Sequence, residues 1–407
     1  MVRLTEPWSA KHKRMTKHGS LPYNLSNSYA QPLTSQELLQ WARERNDQDL
    51  VDAYSSHALD YTPNGGSEDL RTEIAQLYGP HITKDHVLVF TGAQVAVQTA
   101  AFAIVGGHHT LDNNNNNNNN NPHHTIVFTP GYQSLQEAPI HAGSQVTRIQ
   151  LSASNNWAID LKQVEAAIQP HTRYLVLNEP YNPAGTIMSQ STQDALLQLA
   201  TQHDLYVLCD EVYRYLEHTP ETTRIPALCD VYDKGLSIVT MSKPWGACGV
   251  TIGWIATQNL NLMEKLKQVQ YFGTACPSRA SEIQAIMVLR ASDLILDRNR
   301  AILLENIALL DQFMQDYHDF FSWVRPSAGA IAFLKFKGTL SSEQLGEELA
   351  AVGIGIKPAY CFSAVVTDDV DYFRVGYGER TMPAALEQLR AFVERHKASW
   401  KEQMAAA

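Results

Sequence analysis

The stretch Thr240-Met-Ser-Lys-Pro-Trp-Gly246 follows an apolar run, Ser237-Ile-Val239, and ends in a glycine. The segment from Ser237 to Lys243 predicts a β-strand with polar residues at its carboxyl end, and the small residues after it predict a loop. Ligands of α/β sheets bind at that end of the strands. Lys243 is therefore a candidate functional residue, because a buried lysine loses its proton readily and becomes a nucleophile and base. For this stretch alone, the alternative is a solvated surface lysine.

Two earlier stretches repeat this arrangement of an apolar strand followed by polar residues. Leu175-Val-Leu-Asn-Glu-Pro-Tyr-Asn-Pro-Ala-Gly185 ends in a turn that begins at Asn182. Leu205-Tyr-Val-Leu-Cys-Asp-Glu-Val-Tyr213 carries Asp210 and Tyr213 at its end. Taken singly, Asn182 fits a turn and Asp210 fits a helix cap. Three such strands together predict a sheet whose carboxyl edge holds one site.

A fourth strand is predicted upstream, in Val87-Leu-Val-Phe-Thr-Gly-Ala-Gln94, and an alanine-rich helical pattern follows it from Val95 to Val105. The first backbone N–H groups of a helix bind anions, and the helix dipole strengthens that binding. We therefore expect Ala93 and Gln94 to form a phosphate seat. An ordinary strand-to-helix turn has the same pattern.

With these motifs in this order, the chain resembles the class I/II aminotransferases of the fold-type I pyridoxal phosphate (PLP) enzymes, from about Tyr61 to the carboxyl end. The resemblance implies that Lys243 carries the cofactor as a Schiff base and moves protons during the reaction. It implies that Asp210 pairs with the ring nitrogen and keeps it protonated. Asn182 and Tyr213 match the positions that hydrogen-bond the ring's phenolic oxygen.

Further residues match single positions of the family. Tyr132, in Thr129-Pro-Gly-Tyr132, matches the aromatic residue that stacks on the cofactor ring, and Thr240 matches a hydroxyl that contacts the phosphate. Arg374, in Tyr372-Phe-Arg-Val-Gly-Tyr377, matches the arginine that clamps the substrate's α-carboxylate, with Asn182 beside it. The planar guanidinium suits this task because it meets a carboxylate with two hydrogen bonds.

Tyr61 resembles the tyrosine that reaches the phosphate of the neighbouring subunit's cofactor. The resemblance therefore implies a homodimer with shared active sites.

One position departs from the family pattern. An arginine usually lies eight residues after the Schiff-base lysine, where it neutralises the phosphate, and Thr251 occupies that position here. A hydroxyl donates one hydrogen bond but balances no charge.

The resemblance implies transfer of an amino group from an α-amino acid to a 2-oxo acid. A second hypothesis is β-elimination, cyclisation or oxidation of a basic amino acid, since Tyr23 to Leu38 is similar to the capreomycidine-synthase-like branch. Lysine, cofactor and carboxylate clamp serve both chemistries. A third hypothesis, suggested by Thr251, is a non-catalytic binding protein. Side-chain specificity is expected near Ser26 to Tyr29 and Tyr360 to Phe362.

The composition indicates a cytoplasmic enzyme with small-molecule substrates. A formal net charge of -10 argues against nucleic acid or an anionic membrane as a partner, and no stretch is apolar and long enough to span a bilayer. The five cysteines are scattered without metal-like spacing, so we expect no metal site and a reducing compartment.

The predicted fold class is α/β, with a mostly parallel central sheet, helices on both faces and a smaller α+β domain. Residues 46–279 are assigned to the large PLP-binding domain and residues 280–407 to the small domain, which the segment 1–45 joins. The asparagine run 113–121 is expected to be an inserted loop. Histidine pairs flank it at 108–109 and 123–124, and we favour a solvated loop over a metal site there.

Overall fold

The computed structural model describes residues 21–106, 122–219, 224–274 and 276–406. Two sheets and one short strand pair organise this part of the chain. The strands are β1 (Tyr23–Asn24), β2 (Val87–Phe90), β3 (His124–Thr129), β4 (Gln145–Gln150), β5 (Thr172–Asn178), β6 (Tyr206–Asp210), β7 (Gly235–Thr240), β8 (Gly253–Ala256), β9 (Phe321–Trp323), β10 (Ile331–Phe336), β11 (Ile354–Gly355) and β12 (Phe373–Gly376).

The larger sheet has seven strands in the order β2-β8-β7-β6-β5-β3-β4. Only β8 runs against its neighbours, and the pairs from β7 to β4 are all parallel. The sheet is therefore mostly parallel, as the sequence predicts. Most residues of its central strands are buried, and those of β7 are all buried, which explains their apolar runs.

Both faces of this sheet are covered. Alternate residues of β5 and β6 belong to different cores: Val176 and Leu208 pack on one side, whereas Leu177 and Val207 pack on the other. This division follows from the two-residue period of a strand. The helices are α1 (Ser35–Glu44), α2 (Gln48–Ser56), α3 (Glu68–Ala75), α4 (Ala93–Val105), α5 (Gln133–His141), α6 (Leu161–Ala167), α7 (Gln190–Gln202), α8 (Leu228–Val231), α9 (Leu260–Tyr271), α10 (Arg279–Arg290), α11 (Ser292–Asp316), α12 (Ser342–Ala351) and α13 (Met382–Ala406).

The smaller sheet is antiparallel, in the order β12-β10-β9, and packs with α11 and α13 around a core of its own. The short strand β1 pairs with β11 beside it. After β1, the chain crosses to the loop that carries Lys243. The Ala30 N–H donates to the Lys243 carbonyl at 3.0 Å, and the Leu33 N–H donates to the Gly246 carbonyl at 3.1 Å. The amino-terminal segment thus fixes the backbone of that loop.

Three local predictions differ in detail from the structure. Strand β7 ends at Thr240, so Lys243 lies in the loop beyond it. The amphipathic pattern predicts a last helix from Pro383 to His396, whereas the helix begins at Met382 and continues to Ala406. His124 belongs to β3 and is buried, where its ring contacts the Thr172 and Thr147 hydroxyls at 2.8 and 2.9 Å, so its assignment to a solvated loop is wrong. The asparagine run and the histidine pair at 108–109 lie outside the described residues.

Candidate active site

A cavity of about 290 Å³ lies at the carboxyl ends of β5, β6 and β7, where residues of the smaller sheet also reach it. Most of the residues predicted from the sequence meet here. Those that line the cavity are Ala93, Tyr132, Asn182, Asp210, Tyr213, Thr240, Lys243 and Arg374. The structure thus brings together residues that are far apart in the sequence. Ala93 and Arg374, for example, are separated by 281 positions.

Lys243 projects into this cavity from the loop after β7. Its Nζ atom donates a hydrogen bond to the Ser28 hydroxyl at 2.8 Å. Burial lowers the pKa of Lys243 to about 8, and the positive charge of Arg374 makes a smaller contribution to this decrease. The neutral amine is therefore accessible near neutral pH, as a nucleophilic or basic lysine requires.

Asp210 ends β6 and is held in place by its neighbour β5. Its carbonyl accepts hydrogen bonds from the Asn178 side chain at 2.7 Å and from the Glu179 N–H at 3.0 Å. Its carboxylate accepts a long bond, 3.3 Å, from the Val212 N–H. Burial raises the pKa of Asp210 to about 7, although the Lys243 charge opposes that rise. A cationic group in the cavity would restore the ionised carboxylate.

Arg374 is buried on β12 and has neutral partners. Its guanidinium donates to the Asn182 side-chain oxygen at 2.9 Å and to the Ser26 carbonyl at 3.2 Å, and the Phe362 ring lies 5.1 Å away. Its Nε atom has no hydrogen-bond partner, and no carboxylate of the described residues pairs with it. A buried cation without a counter-charge is costly, so the site is suited to an anionic ligand.

Two tyrosines add aromatic and polar surface to the cavity. Tyr213 is buried, and its hydroxyl makes no hydrogen bond with the described residues. Burial raises its pKa to about 12, so the hydroxyl keeps its proton and can donate it to a ligand acceptor. Tyr132 precedes helix α5, and burial, followed by the Asp210 charge, also raises its pKa.

The predicted phosphate seat lies at the start of α4. Gly92 caps this helix with φ at +98° and contributes no side-chain hydrogen bond, so the first N–H groups remain available to a ligand. Ala93 lines the cavity, whereas Gln94 is not among its lining residues.

Two hydroxyls near this seat already have partners. Thr240 donates to the Ile252 carbonyl at 3.0 Å, and Thr251 donates weakly to the Gly249 carbonyl at 3.3 Å. Thr251 lines the cavity with a left-handed backbone, φ at +55°. It supplies no charge there, in agreement with the departure noted in the sequence.

Tyr61 is the predicted residue that lies apart from the others. Its side chain is 96% exposed, and it does not line the cavity of its own chain. Within one chain, Tyr61 therefore has no role at this site.

Several lining residues were not singled out from the sequence, notably Ser28, Ser242, Cys248 and Lys357. Ser28 falls inside the segment expected to set specificity. Lys357 follows the apolar run Ile354-Gly-Ile356, and a charged residue in such a run is a detectable signal. Nothing local to Ser242 or Cys248 distinguishes them from other loop residues.

Two kinds of feature are absent from the residues that the structure describes. None of the helices in these ranges combines the length and the apolar character needed to span a bilayer. In the same ranges, no group of three or more histidine, cysteine, aspartate or glutamate side chains is arranged to hold a metal ion.

Comparison with known proteins gives consistent matches. The family profile described as "Aminotransferase class I and II" matches residues 25–389. An aromatic-amino-acid aminotransferase 2 from Thermococcus litoralis is 24% identical over 59% of this chain and 61% of its own length. An aspartate aminotransferase from Thermotoga maritima is 26% identical over 57% of this chain and 59% of its own length. The chain thus matches about three-fifths of the length of these two relatives.

A solved structure covers more of the chain. A PLP-dependent aminotransferase from Streptococcus suis is 25% identical, covers 97% of this chain and 99% of its own, and superposes with a TM-score of 0.85. This match confirms the predicted fold-type I architecture. The family match over residues 25–389 confirms the resemblance inferred from the motifs. The chain therefore belongs to the aminotransferase class I and II family.

Proposed function

We propose that the protein is a PLP-dependent aminotransferase that transfers the amino group of an α-amino acid to a 2-oxo acid. One observation carries the proposal. A single cavity contains a half-buried lysine of lowered pKa, a buried carboxylate and a buried arginine without a counter-charge. These three groups match a nucleophilic amine, a partner for a ring nitrogen and a carboxylate clamp.

The residues present fit pyridoxal phosphate, the cofactor implied by the family. The unpaired Tyr213 hydroxyl can donate to a phenolic oxygen, and Asp210 lacks a cationic partner that a protonated ring nitrogen would supply. The uncapped N–H groups at Ala93 and Gln94 would hold the phosphate, and the Ser242 hydroxyl also lines the cavity. Tyr132 would stack on the ring.

When bound, the cofactor supplies an electron sink that stabilises negative charge at the substrate's α-carbon. Lys243 would hold the cofactor through a Schiff base and, once released, would take or return a proton with its Nζ atom. Its lowered pKa suits this exchange, because a base works best near the ambient pH. Ser28, which accepts a hydrogen bond from Nζ, would position the amine.

Arg374 would bind the substrate's α-carboxylate. Its two hydrogen bonds to Asn182 and Ser26 fix the guanidinium plane, so the arginine is oriented before substrate arrives. This preorganisation reduces the entropy lost on binding. The same contacts leave the arginine's charge uncompensated, which favours an anionic ligand over a neutral one.

We further propose a homodimer with shared active sites. Tyr61, Leu59 and Phe272 are large apolar or aromatic side chains that are 96, 98 and 88% exposed. Such exposure favours burial against a partner subunit, where Tyr61 would reach the partner's phosphate seat.

None of the five cysteines forms a disulfide with another described residue, which favours the cytoplasm as the compartment.

The experiment that tests the proposal loads the purified protein with PLP and mixes it with a panel of amino acids, with and without pyruvate or 2-oxoglutarate. We expect amino-group transfer that requires both substrates. We also expect borohydride reduction to attach the cofactor to the peptide containing Lys243, and Lys243→Ala to abolish that attachment.

Amino acid consumption without any 2-oxo acid would instead favour elimination, cyclisation or oxidation. A wild-type protein that neither binds PLP nor turns over an amino acid would contradict the proposal and favour a non-catalytic binding protein.

A further inference from the structure

A second cation, Lys357, lies beside the carboxylate clamp. Lys357 and Arg374 face each other in an antiparallel bridge, in which each N–H donates to the other residue's carbonyl, at 3.0 Å and 2.7 Å. Directly opposed residues of this kind point their side chains to the same face of the sheet, with neighbouring Cβ atoms. Accordingly, both Lys357 and Arg374 line the cavity.

The segment that carries Lys357 is firmly attached. Pro358 follows it directly, and the Ala359 N–H donates to the Ser342 hydroxyl at 3.0 Å. Further on, the Phe362 carbonyl accepts hydrogen bonds from the Gly131 N–H and from the Gln136 side chain, at 2.9 and 3.0 Å. These hydrogen bonds attach the segment that carries Lys357 to neighbouring parts of the fold.

Cationic side chains outnumber carboxylates in the lining of the cavity. Its lining includes three cationic side chains, Lys243, Lys357 and Arg374, but one carboxylate, Asp210. The proposed cofactor uses Lys243 and Asp210, and its phosphate is assigned to the start of α4, so Lys357 and Arg374, which face each other across the bridge, are assigned to the substrate. Within the described residues, no acidic side chain pairs with the Lys357 ammonium. An α-carboxylate pairs with Arg374, and a second anionic group would hold Lys357 in its charged form.

We propose that Lys357 binds the second carboxylate of a dicarboxylic substrate, so that the 2-oxo acid or amino acid used by this enzyme carries two carboxylates. This inference rests on the proposed aminotransferase function and specifies its substrate class. Arg374 holds the α-carboxylate, and the flexible lysine arm reaches the distal one. A monocarboxylic 2-oxo acid such as pyruvate would leave the Lys357 ammonium unpaired in the cavity.

The electrostatic surroundings of Lys357 agree with this assignment. Burial lowers the pKa of Lys357 to about 7, and the positive charges of Arg374 and Lys243 make smaller contributions to this decrease. A second carboxylate would offset these effects and favour the ammonium form. A lysine that served only to fill space would gain nothing from this position, since an apolar side chain there would avoid the repulsion from two neighbouring cations.

The test compares PLP-loaded wild type with Lys357→Met, which keeps the length of the side chain but removes its charge, and with Lys357→Arg, which keeps the charge. Lys335→Met is the matched control, because Lys335 lies on β10 outside the lining of the cavity. Binding of two unreactive analogues, succinate and propionate, is measured by calorimetry. KM is measured for 2-oxoglutarate and for pyruvate.

We expect wild type to bind succinate more tightly than propionate. Lys357→Met should weaken succinate binding and raise the KM for 2-oxoglutarate by about 10- to 100-fold, the value of a hydrogen bond between charged groups. Propionate binding and the KM for pyruvate should change less than about threefold, and Lys357→Arg should retain most of the preference for succinate.

Equal losses for mono- and dicarboxylates, or a wild type that binds both analogues equally, would overturn the inference while leaving the aminotransferase function intact. Failure of wild type to load PLP or to transfer an amino group to either 2-oxo acid would contradict the proposed function itself. The two failures are therefore distinguishable.

Discussion

At the scale of single residues, the reactivity of Lys243 depends on its surroundings. An exposed lysine has a pKa near 10.5, whereas burial and the Arg374 charge lower that of Lys243 to about 8. Only the neutral amine attacks an aldehyde, so the rate of covalent PLP attachment should rise with pH and level off above about pH 8. Removing the Arg374 charge should raise the pKa of Lys243 and shift this midpoint to higher pH.

The measurement is the rate of PLP attachment as a function of pH, in wild type and in Arg374→Met. An unchanged midpoint in the variant would show that the Arg374 charge does not affect the pKa of Lys243. A wild-type midpoint near 10.5 would show that the lysine is solvated in solution.

The role of Arg374 gives a second residue-scale prediction. Arg374→Met should raise the KM for amino acids by about 100-fold or more, because two charge-assisted hydrogen bonds to the substrate carboxylate are lost. PLP affinity should change little, since the arginine is assigned to substrate alone. Steady-state kinetics and PLP titration measure the two effects, with Arg325→Met, outside the cavity, as the control. Comparable losses in both quantities would contradict the assignment.

At the scale of elements, the phosphate seat depends on close packing between α4 and β8. A Cβ atom on Gly253 would lie 2.7 Å from the Ala93 nitrogen and 2.8 Å from the Gly92 carbonyl carbon. Those are backbone atoms, so the start of the helix must move to accept a side chain. Gly249 is a matched control from the same loop region, because a Cβ there meets nothing within 4 Å.

We therefore expect Gly253→Ala to lower PLP affinity by about tenfold or more, through misplacement of the N–H groups that would bind the phosphate. The overpacking should also cost about 1–3 kcal/mol of unfolding free energy. Gly249→Ala should change neither quantity appreciably. PLP titration and urea unfolding provide the measurements, and equal PLP affinity in the two variants would exclude α4 as the seat.

At the scale of the whole molecule, the exposure of Tyr61 leads to a prediction about shared sites. If Tyr61 serves the partner's cofactor, Lys243→Ala and Tyr61→Ala impair the same site from different subunits. Mixing the two variants after unfolding and refolding should restore activity, because each mixed dimer contains one site with both native residues. Random pairing leaves about a quarter of all sites intact.

Activity of the refolded mixture is compared with that of each variant refolded alone. Recovery above the sum of the separate variants would support the shared site. Sedimentation of the wild type as a monomer, or no recovery in mixtures that contain mixed dimers, would contradict it.

The sequence by itself determined four strands of the central sheet, β2, β5, β6 and β7, and the order of the residues at their carboxyl ends. Continuous apolar runs mark buried parallel strands, and the residues just beyond them necessarily meet at one edge. For this reason Asn182, Asp210 and Lys243 could be expected to lie together before the tertiary structure was known. The family resemblance, confirmed by the profile match, added Arg374, which no local pattern connects with Asn182.

Only the tertiary structure decided which side chains complete the cavity. Ser28 reaches Lys243 across 215 positions of the chain, and Arg374 reaches Asn182 across 192. Lys357 enters the cavity because a bridge places it opposite Arg374. The burial of His124 likewise depends on neighbouring strands. A local sequence pattern indicates the period and the burial of its own segment. The partners of a side chain depend on how distant segments pack against it, and no short stretch of sequence contains that information.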